Sequence, residues 1–207
     1  MKYRLAIFDF DGTLADSFPF FIDVFDQLAE RHGFDRIDAA SIPQLRGCDA
    51  RELMAHVGLP AWKLPHVARD FTTLMRANTT AIRCFDGIDE VLAHLARAGV
   101  SIAVVSSNSE DNVKAVLGPE NVRCIGHFEC GMSIFGKTSR LEKVRRNAAV
   151  RPDETIYVGD QRTDHEAARR AGIAFGAVAW GYGTPESLRR LAPEEEFAQV
   201  RDLRRIA

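Results

Sequence analysis

The sequence predicts an α/β protein with a Rossmann-like parallel sheet core, helices on both faces and a small inserted α-helical cap. Three observations predict it. Leu5–Phe8, Val100–Val105, Val122–Ile125, Thr155–Val158 and Ala174–Ala179 are short and largely apolar rather than alternating, as expected of strands covered on both faces. From Asp86 onward these runs alternate with helical patterns, which implies right-handed crossovers and parallel pairing. Between Asp16 and about Cys84 only helical patterns occur, so this segment interrupts the sheet after its first strand. The expected division is a core of residues 1–15 and 85–207 with a cap of residues 16–84.

Taken in order, Leu5–Phe8 opens the sheet and is too short for a helix. Phe18, Phe21, Ile22, Phe25, Leu28 and Ala29 then recur at helical spacing, with Ser17 as the expected N-cap and Gly33 as the stop. Asp49–Val57 reads as a second helix, with Asp49 and Glu52 resembling a capping box and Gly58 and Pro60 ending it. Pro65–Asn78 is a third, with Val67, Phe71, Leu74 and Met75 on one face. Ile88, Val91, Leu92, Leu95 and Ala96 mark a helix closed by Gly99. Helices at Ser109–Leu117, Thr138–Asn147 and His165–Ala171, the last closed by Gly172, complete the alternation. There is no internal repeat and no low-complexity linker.

The 207 residues suffice for one generous domain or a core with a smaller insertion. With 46% hydrophobic and 27% charged residues the composition is that of a soluble globular protein. A net charge of −2 advertises neither nucleic acid nor an anionic membrane as partner. No apolar run approaches the ~20 residues of a membrane span, and Leu5–Phe8 is too short for a signal-peptide core. The expected address is therefore cytoplasmic, and the oligomeric state stays open between a monomer and a small homo-oligomer. Cys48, Cys84, Cys124 and Cys130 form no disulfide framework, which suits a reducing compartment. Cys124, His127 and Cys130 have metal-like spacing but lack a paired Cys-x-x-Cys and a fourth ligand, so buried or half-buried thiols are expected.

The chemistry gathers after the strands. Asp9 and Asp11 stand at i and i+2, a spacing that in extended chain points both carboxylates one way and makes them repel. Read alone, Asp-x-Asp-Gly is equally a strand running into a turn. In open parallel sheets, however, residues just beyond the carboxyl ends of strands converge on ligands. Those residues here are Asp9 and Asp11, then Ser106, Ser107 and Asn108, then Gly159 through Asp164, with Lys137 opening the preceding helix. Carboxylates, hydroxyls and one ammonium form a set able to hold a hard cation and a phosphate together. Singly, Lys137 also reads as a solvated lysine, Ser106 or its neighbours as a helix cap, and Asp164 as an N-cap.

In order and at plausible spacing, Asp9-Phe10-Asp11-Gly12-Thr13-Leu14, the apolar strand into Ser106, Lys137, and Gly159-Asp160-x-x-x-Asp164 resemble the four motifs of the haloacid dehalogenase superfamily. Phe85-Asp86-Gly87 and Trp180-Gly181-Tyr182-Gly183 extend the resemblance, which is nearest the phosphoglycolate-phosphatase-like branch. It implies a Mg²⁺-dependent phosphatase that hydrolyses a small phosphorylated metabolite, phosphoglycolate-like or a sugar phosphate, through an aspartyl-phosphate. It also implies roles: Asp9 as nucleophile and Asp11 as general acid and base. Asp9, Asp160 and the backbone carbonyl of Asp11 would hold Mg²⁺, with Asp164 acting directly or through a water. Ser106 and Lys137 would bind phosphoryl oxygens, helped by backbone N–H groups around Gly12, Ser107 and Asn108.

Asp11 argues against dehalogenases, which lack that aspartate. Lys63 is the sole lysine between Asp16 and Cys84, which disfavours the phosphonoacetaldehyde-hydrolase branch and its Schiff-base lysine. A sugar phosphomutase of the β-phosphoglucomutase type is the enzymatic alternative, and a non-catalytic binding or regulatory module is the other. In the cap, Arg46 and Arg51 flank a polar loop entering a helix; they are candidates for substrate contact, and an ordinary surface turn is the competing reading.

Overall fold

The computed structural model describes residues 2–38, 41, 50–131 and 136–207. The strands in chain order are β1 (Leu5–Phe8), β2 (Ala15–Asp16), β3 (Arg83–Cys84), β4 (Ser101–Val105), β5 (His127–Glu129), β6 (Thr155–Gly159), β7 (Ala174–Val178) and β8 (Glu195–Phe197). The helices are α1 (Phe18–His32), α2 (Ala50–His56), α3 (Leu64–Ala77), α4 (Ile88–Arg97), α5 (Glu110–Cys124), α6 (Gly136–Asn147), α7 (Arg162–Ala171) and α8 (Pro185–Arg189). None of the described helices is long and apolar enough to cross a membrane.

Six strands form one parallel sheet in the order β5-β4-β1-β6-β7-β8. β1 sits between β4 and β6, with Leu5 to Phe8 paired to Ser101 to Val104 on one side and to Thr155 to Val158 on the other. Both faces of β1 are covered, and its period of two divides the side chains between two cores. Ala6 and Phe8 pack with Leu92, Leu95 and Val113 of α4 and α5, whereas Leu5 and Ile7 pack with Leu141, Val144 and Ala168 of α6 and α7. The expected fold class is therefore present. Because the chain leaves β1 first for β4 and later for β6, the sheet order reverses there, and a crevice opens at the carboxyl end of β1.

One expected strand is a helix. Val122–Ile125 does not join the sheet: Val122 and Cys124 lie in the last turn of α5, and the edge strand begins at His127. Gly118 (φ 74°, ψ 165°) breaks α5, and Pro119, whose fixed φ suits a first helical turn, restarts it. Asn121 Nδ2 donates to Leu117 O (2.9 Å) across the break. The short β2, β3 and β8 carry no apolar run that periodicity detects.

The segment between β2 and β3, which pair antiparallel, carries α1, α2 and α3. Gly33 ends α1 in the left-handed conformation (φ 66°), donating to Ala29 O, as its placement predicts. Ser17, however, makes no side-chain cap and turns its hydroxyl toward Tyr182 (2.7 Å). The cap expected at Asp49 lies outside the described residues. α3 ties this segment to the sheet's helices: Asn112 Nδ2 of α5 donates to Thr72 O (3.0 Å), and Met75 is fully buried.

Candidate active site

The strand ends bring four of the sequence-predicted side chains together. Asp9 follows β1, Asp160 follows β6, and Asp164 lies in the first turn of α7; one carboxylate oxygen from each falls within 4.8 Å of the others. Asp9 is 6% exposed, and Asp160 and Asp164 are fully buried. Lys137, near the start of α6, reaches across with Nζ 2.7 Å from Asp9 Oδ2 and 2.6 Å from Asp164 Oδ1. α7 starts at Arg162, ahead of the expected His165, with Gln161 as its N-cap. Asp164 is thus the third helical residue and accepts from Gln161 N through Oδ2 (3.0 Å) in a capping box.

Protein donors already fill much of Asp164. Its Oδ1 accepts from Lys137 and from Tyr157 OH (3.0 Å), and its Oδ2 from the Gln161 amide. Asp160 is held at both oxygens, by Thr13 Oγ1 (3.2 Å) and by the Tyr182 amide (2.7 Å). The Trp180–Gly183 loop packs so tightly on it that a Cβ on Gly181 would stand 2.3 Å from Asp160 Cβ, and one on Gly183 2.0 Å from Asp160 O. Gly12 (φ 76°) has the same constraint from the other side, with Asp160 Oδ2 2.4 Å from where its Cβ would lie. Its amide donates to Ala15 O (2.9 Å), so Gly12 serves close approach.

Burial dominates the electrostatics. Desolvation pushes the Asp9 carboxyl up to about 7 against the pull of Lys137, with Asp164 adding to the rise. Asp160 is raised well above the usual range by burial, then by Asp164 and Asp9. Burial also raises Asp11, opposed by Ser17, Asn108 and Lys137. Burial disfavours the ammonium of Lys137, but Asp164 and Asp9 more than offset it and hold the group charged well above its ordinary range. Among the described residues, Lys137 thus pairs with two of the three clustered carboxylates, Asp9 and Asp164. One oxygen of Asp11, Oδ1, is buried without a hydrogen-bond partner, while Oδ2 accepts from Asn108 Nδ2 (3.2 Å).

The β4 end supplies the remaining predicted groups. Ser106 is buried; its Oγ accepts from Asn108 N (3.0 Å), and its carbonyl from Arg140 Nη1 (2.9 Å). Ser109, rather than Ser106, Ser107 or Asn108, caps α5 by accepting from Asn112 N (3.3 Å). Ser107 is exposed and faces the cavity. Arg46 and the Arg51 side chain lie outside what the structure describes. Tyr157 and Arg140 were not singled out from sequence, Thr13 was read only as part of the first motif, and Ser17 only as a helix cap. Tyr157 reads there as one more strand residue, and the others owe their places to partners far along the chain.

A cavity of about 350 Å³ opens above this cluster, bounded by Asp9, Asp11, Lys137, Ser107, Gln161 and Tyr182 at one end and by α1, α2 and α3 at the other.

A family profile described as haloacid dehalogenase-like hydrolase matches residues 6–178. The sequence is 31% identical over 192 residues to a phosphoglycolate phosphatase of Synechococcus elongatus, covering 92% of this chain and 91% of that protein. It is 32% identical over 194 residues to the tyrosine-protein kinase PtkA of Mycobacterium tuberculosis, covering 87% of this chain but only 63% of the kinase. In three dimensions it superposes on a haloacid dehalogenase-like family hydrolase of Streptococcus pneumoniae with a TM-score of 0.82 at 18% identity, covering 98% and 97% of the two chains.

Proposed function

This chain belongs to the haloacid dehalogenase-like hydrolase family, and we propose that it is a Mg²⁺-dependent phosphatase that hydrolyses a small phosphorylated metabolite through an aspartyl-phosphate on Asp9. The observation that carries the reading is the convergence of Asp9, Asp160 and Asp164 within 4.8 Å, with Lys137 bridging two of them beside a cavity that Asp11 also lines. Phosphoglycolate phosphatase is the activity named for a relative that matches nearly the whole chain.

The donor set fits Mg²⁺. It is all oxygen, buried, and carries more negative charge than Lys137 cancels; burial first, and the neighbouring carboxylates after it, raise the Asp9 and Asp160 carboxyls above their usual range. Asp9, Asp160 and the Asp11 carbonyl would hold the ion, with Asp164 beside it, and a bound Mg²⁺ supplies neutralisation of phosphoryl charge and keeps Asp9 ionised.

The chain's own groups account for the steps. Lys137 and the Ser106 region bind phosphoryl oxygens. Asp9 attacks phosphorus, its O–P bond forms, and the ester O–P bond breaks as Asp11 gives its proton to the leaving oxygen. Asp11 then takes a proton from water, the water oxygen bonds to phosphorus, and phosphate leaves with Asp9 restored. Residues 16–84 act as the cap that shields these steps from bulk water, and residues 1–15 and 85–207 form the catalytic core.

The test is phosphate release from p-nitrophenyl phosphate with Mg²⁺ and with EDTA. Turnover that needs the metal and is lost in Asp9→Asn is expected. Metal-independent turnover, or unimpaired Asp9→Asn, overturns the reading.

A further inference from the structure

The cavity above the carboxylates has two chemically distinct ends. Every described polar side chain that lines it belongs to the sheet end: Asp9, Asp11, Ser107, Lys137, Gln161 and Tyr182. The described residues from the insertion that line it are all apolar, among them Phe21 and Ile22 of α1, Leu53 and Met54 of α2, and Val67 and Phe71 of α3. Aromatic rings run from one end to the other: Tyr182 to Phe18 at 5.1 Å between centroids, Phe18 to Phe21 at 6.4 Å, and Phe21 to Phe25 and Phe71 at 5.3 and 5.9 Å.

Resting on the phosphatase reading, we infer that the cap end of this cavity receives an apolar leaving group, so that the preferred ester joins phosphate to an aliphatic or aromatic moiety without charge. A carboxylate placed there meets no cation among the described lining residues, since Lys137 is engaged by Asp9 and Asp164 at the opposite end. Burying it unpaired is strongly unfavourable, and the hydroxyls of a sugar face a smaller penalty of the same kind. An apolar group gains on entry. Phe21, Ile22, Leu53, Met54 and Phe71 are only half-buried, so the cavity walls still present apolar surface to water. An incompletely filled interior between three helices explains apolar walls equally well, but not their continuity with Asp9, Asp11 and Lys137 in a single cavity. Its volume of about 350 Å³ also falls in the range of small-molecule sites, roughly 300–1,000 Å³.

The experiment measures kcat/KM with Mg²⁺ for n-alkyl phosphates from methyl to hexyl, beside phosphoglycolate and glucose 6-phosphate. Alkyl leaving groups change little in basicity along the series, so chain length reports burial. Expected is a rise of up to about 4-fold per methylene, from ~0.8 kcal/mol each, with hexyl phosphate above both charged and hydroxylated esters. A flat series, or phosphoglycolate ahead of hexyl phosphate, overturns the inference. Ala68→Leu on α3, which narrows the cavity wall, should lower the hexyl-to-methyl ratio, and an unmoved ratio counts against it. Calorimetric binding of hexylphosphonate and methylphosphonate separates this inference from the reading it rests on. Tighter hexylphosphonate binding by a protein that hydrolyses nothing upholds the apolar site and removes the phosphatase, whereas hydrolysis with equal phosphonate affinities does the reverse.

Discussion

Asp9 and Asp11 stand two residues apart yet meet different surroundings: Asp9 is nearly sealed and touches Lys137, while Asp11 is half-buried, accepts from Asn108 and keeps one oxygen unpartnered. The raised Asp9 carboxyl has a thermodynamic consequence. It binds its proton more tightly folded than unfolded, so between its unfolded value of 3.8 and its folded value of about 7 the native state carries more protons and stability falls as pH rises. Asp11 and Asp160 are displaced the same way. In EDTA, Tm should therefore decline from pH 5 to pH 8, and Asp9→Asn should flatten the decline and melt higher at pH 8, at about 2–4 °C per kcal/mol for a chain of this size. Scanning calorimetry of both proteins checks it; an unchanged slope contradicts it. Tyr157→Phe removes a donor to Asp164 Oδ1 while leaving the ring in the core. Because Asp164 stands beside the proposed Mg²⁺ site, the variant's Mg²⁺ activation curve should shift by about 10-fold, since groups that orient a metal's surroundings typically contribute 10–100-fold. Asp9, Asp11 and Asp160 could be placed near one another because each stands just after an apolar run, whereas Lys137 was singled out only through the ordered motifs of the family it resembles. Tyr157 was not singled out, because its hydroxyl finds Asp164 only once β6 and α7 are packed.

Among the elements, glycines that close helices were legible because they act on their own backbone. Gly33 and Gly172 end α1 and α7 in left-handed conformation at the predicted places. Gly33→Ala should lower stability by about 1 kcal/mol, read as a fall in Tm with activity retained, because the added Cβ meets only Lys63 Nζ at 3.8 Å. Gly181→Ala is the contrasting case. Its Cβ collides with Asp160 and with Gly12 O, so phosphatase activity should drop by more than 10-fold and Tm should fall further than in Gly33→Ala. An active, stable Gly181→Ala enzyme contradicts this account of the loop. α5 shows the limit of periodicity: the apolar spacing of Val122, Cys124 and Ile125 suits a short strand as well as a helical turn, and Gly118-Pro119 decided for a restarted helix. β2, β3 and β8 escaped notice because two or three residues hold too little pattern to read.

Across the whole molecule, the centre of the sheet and the chemistry coincide: β1 lies between β4 and β6, and the ends of β1 and β6 deliver Asp9 and Asp160. A cation that binds only the folded form stabilises it by mass action, about 2.7 kcal/mol at 100 times Kd. Mg²⁺ should accordingly raise Tm, and more at pH 8 than at pH 5, where protons on Asp9 and Asp160 compete with it. Equal shifts at both pH values contradict these carboxylates as the binding site. The sequence by itself determined the alternation of strands and helices, the insertion after β1 and the order of the chemical groups, because each depends on residues close together in the chain. Tertiary structure alone decided that Lys137 spans 128 residues to reach Asp9, that Ser17 gives up a helix cap for Tyr182, and that three helices turn apolar side chains toward the carboxylates. Those contacts depend on how packed elements meet, and local pattern carries no record of distances between segments that only the folded core brings together.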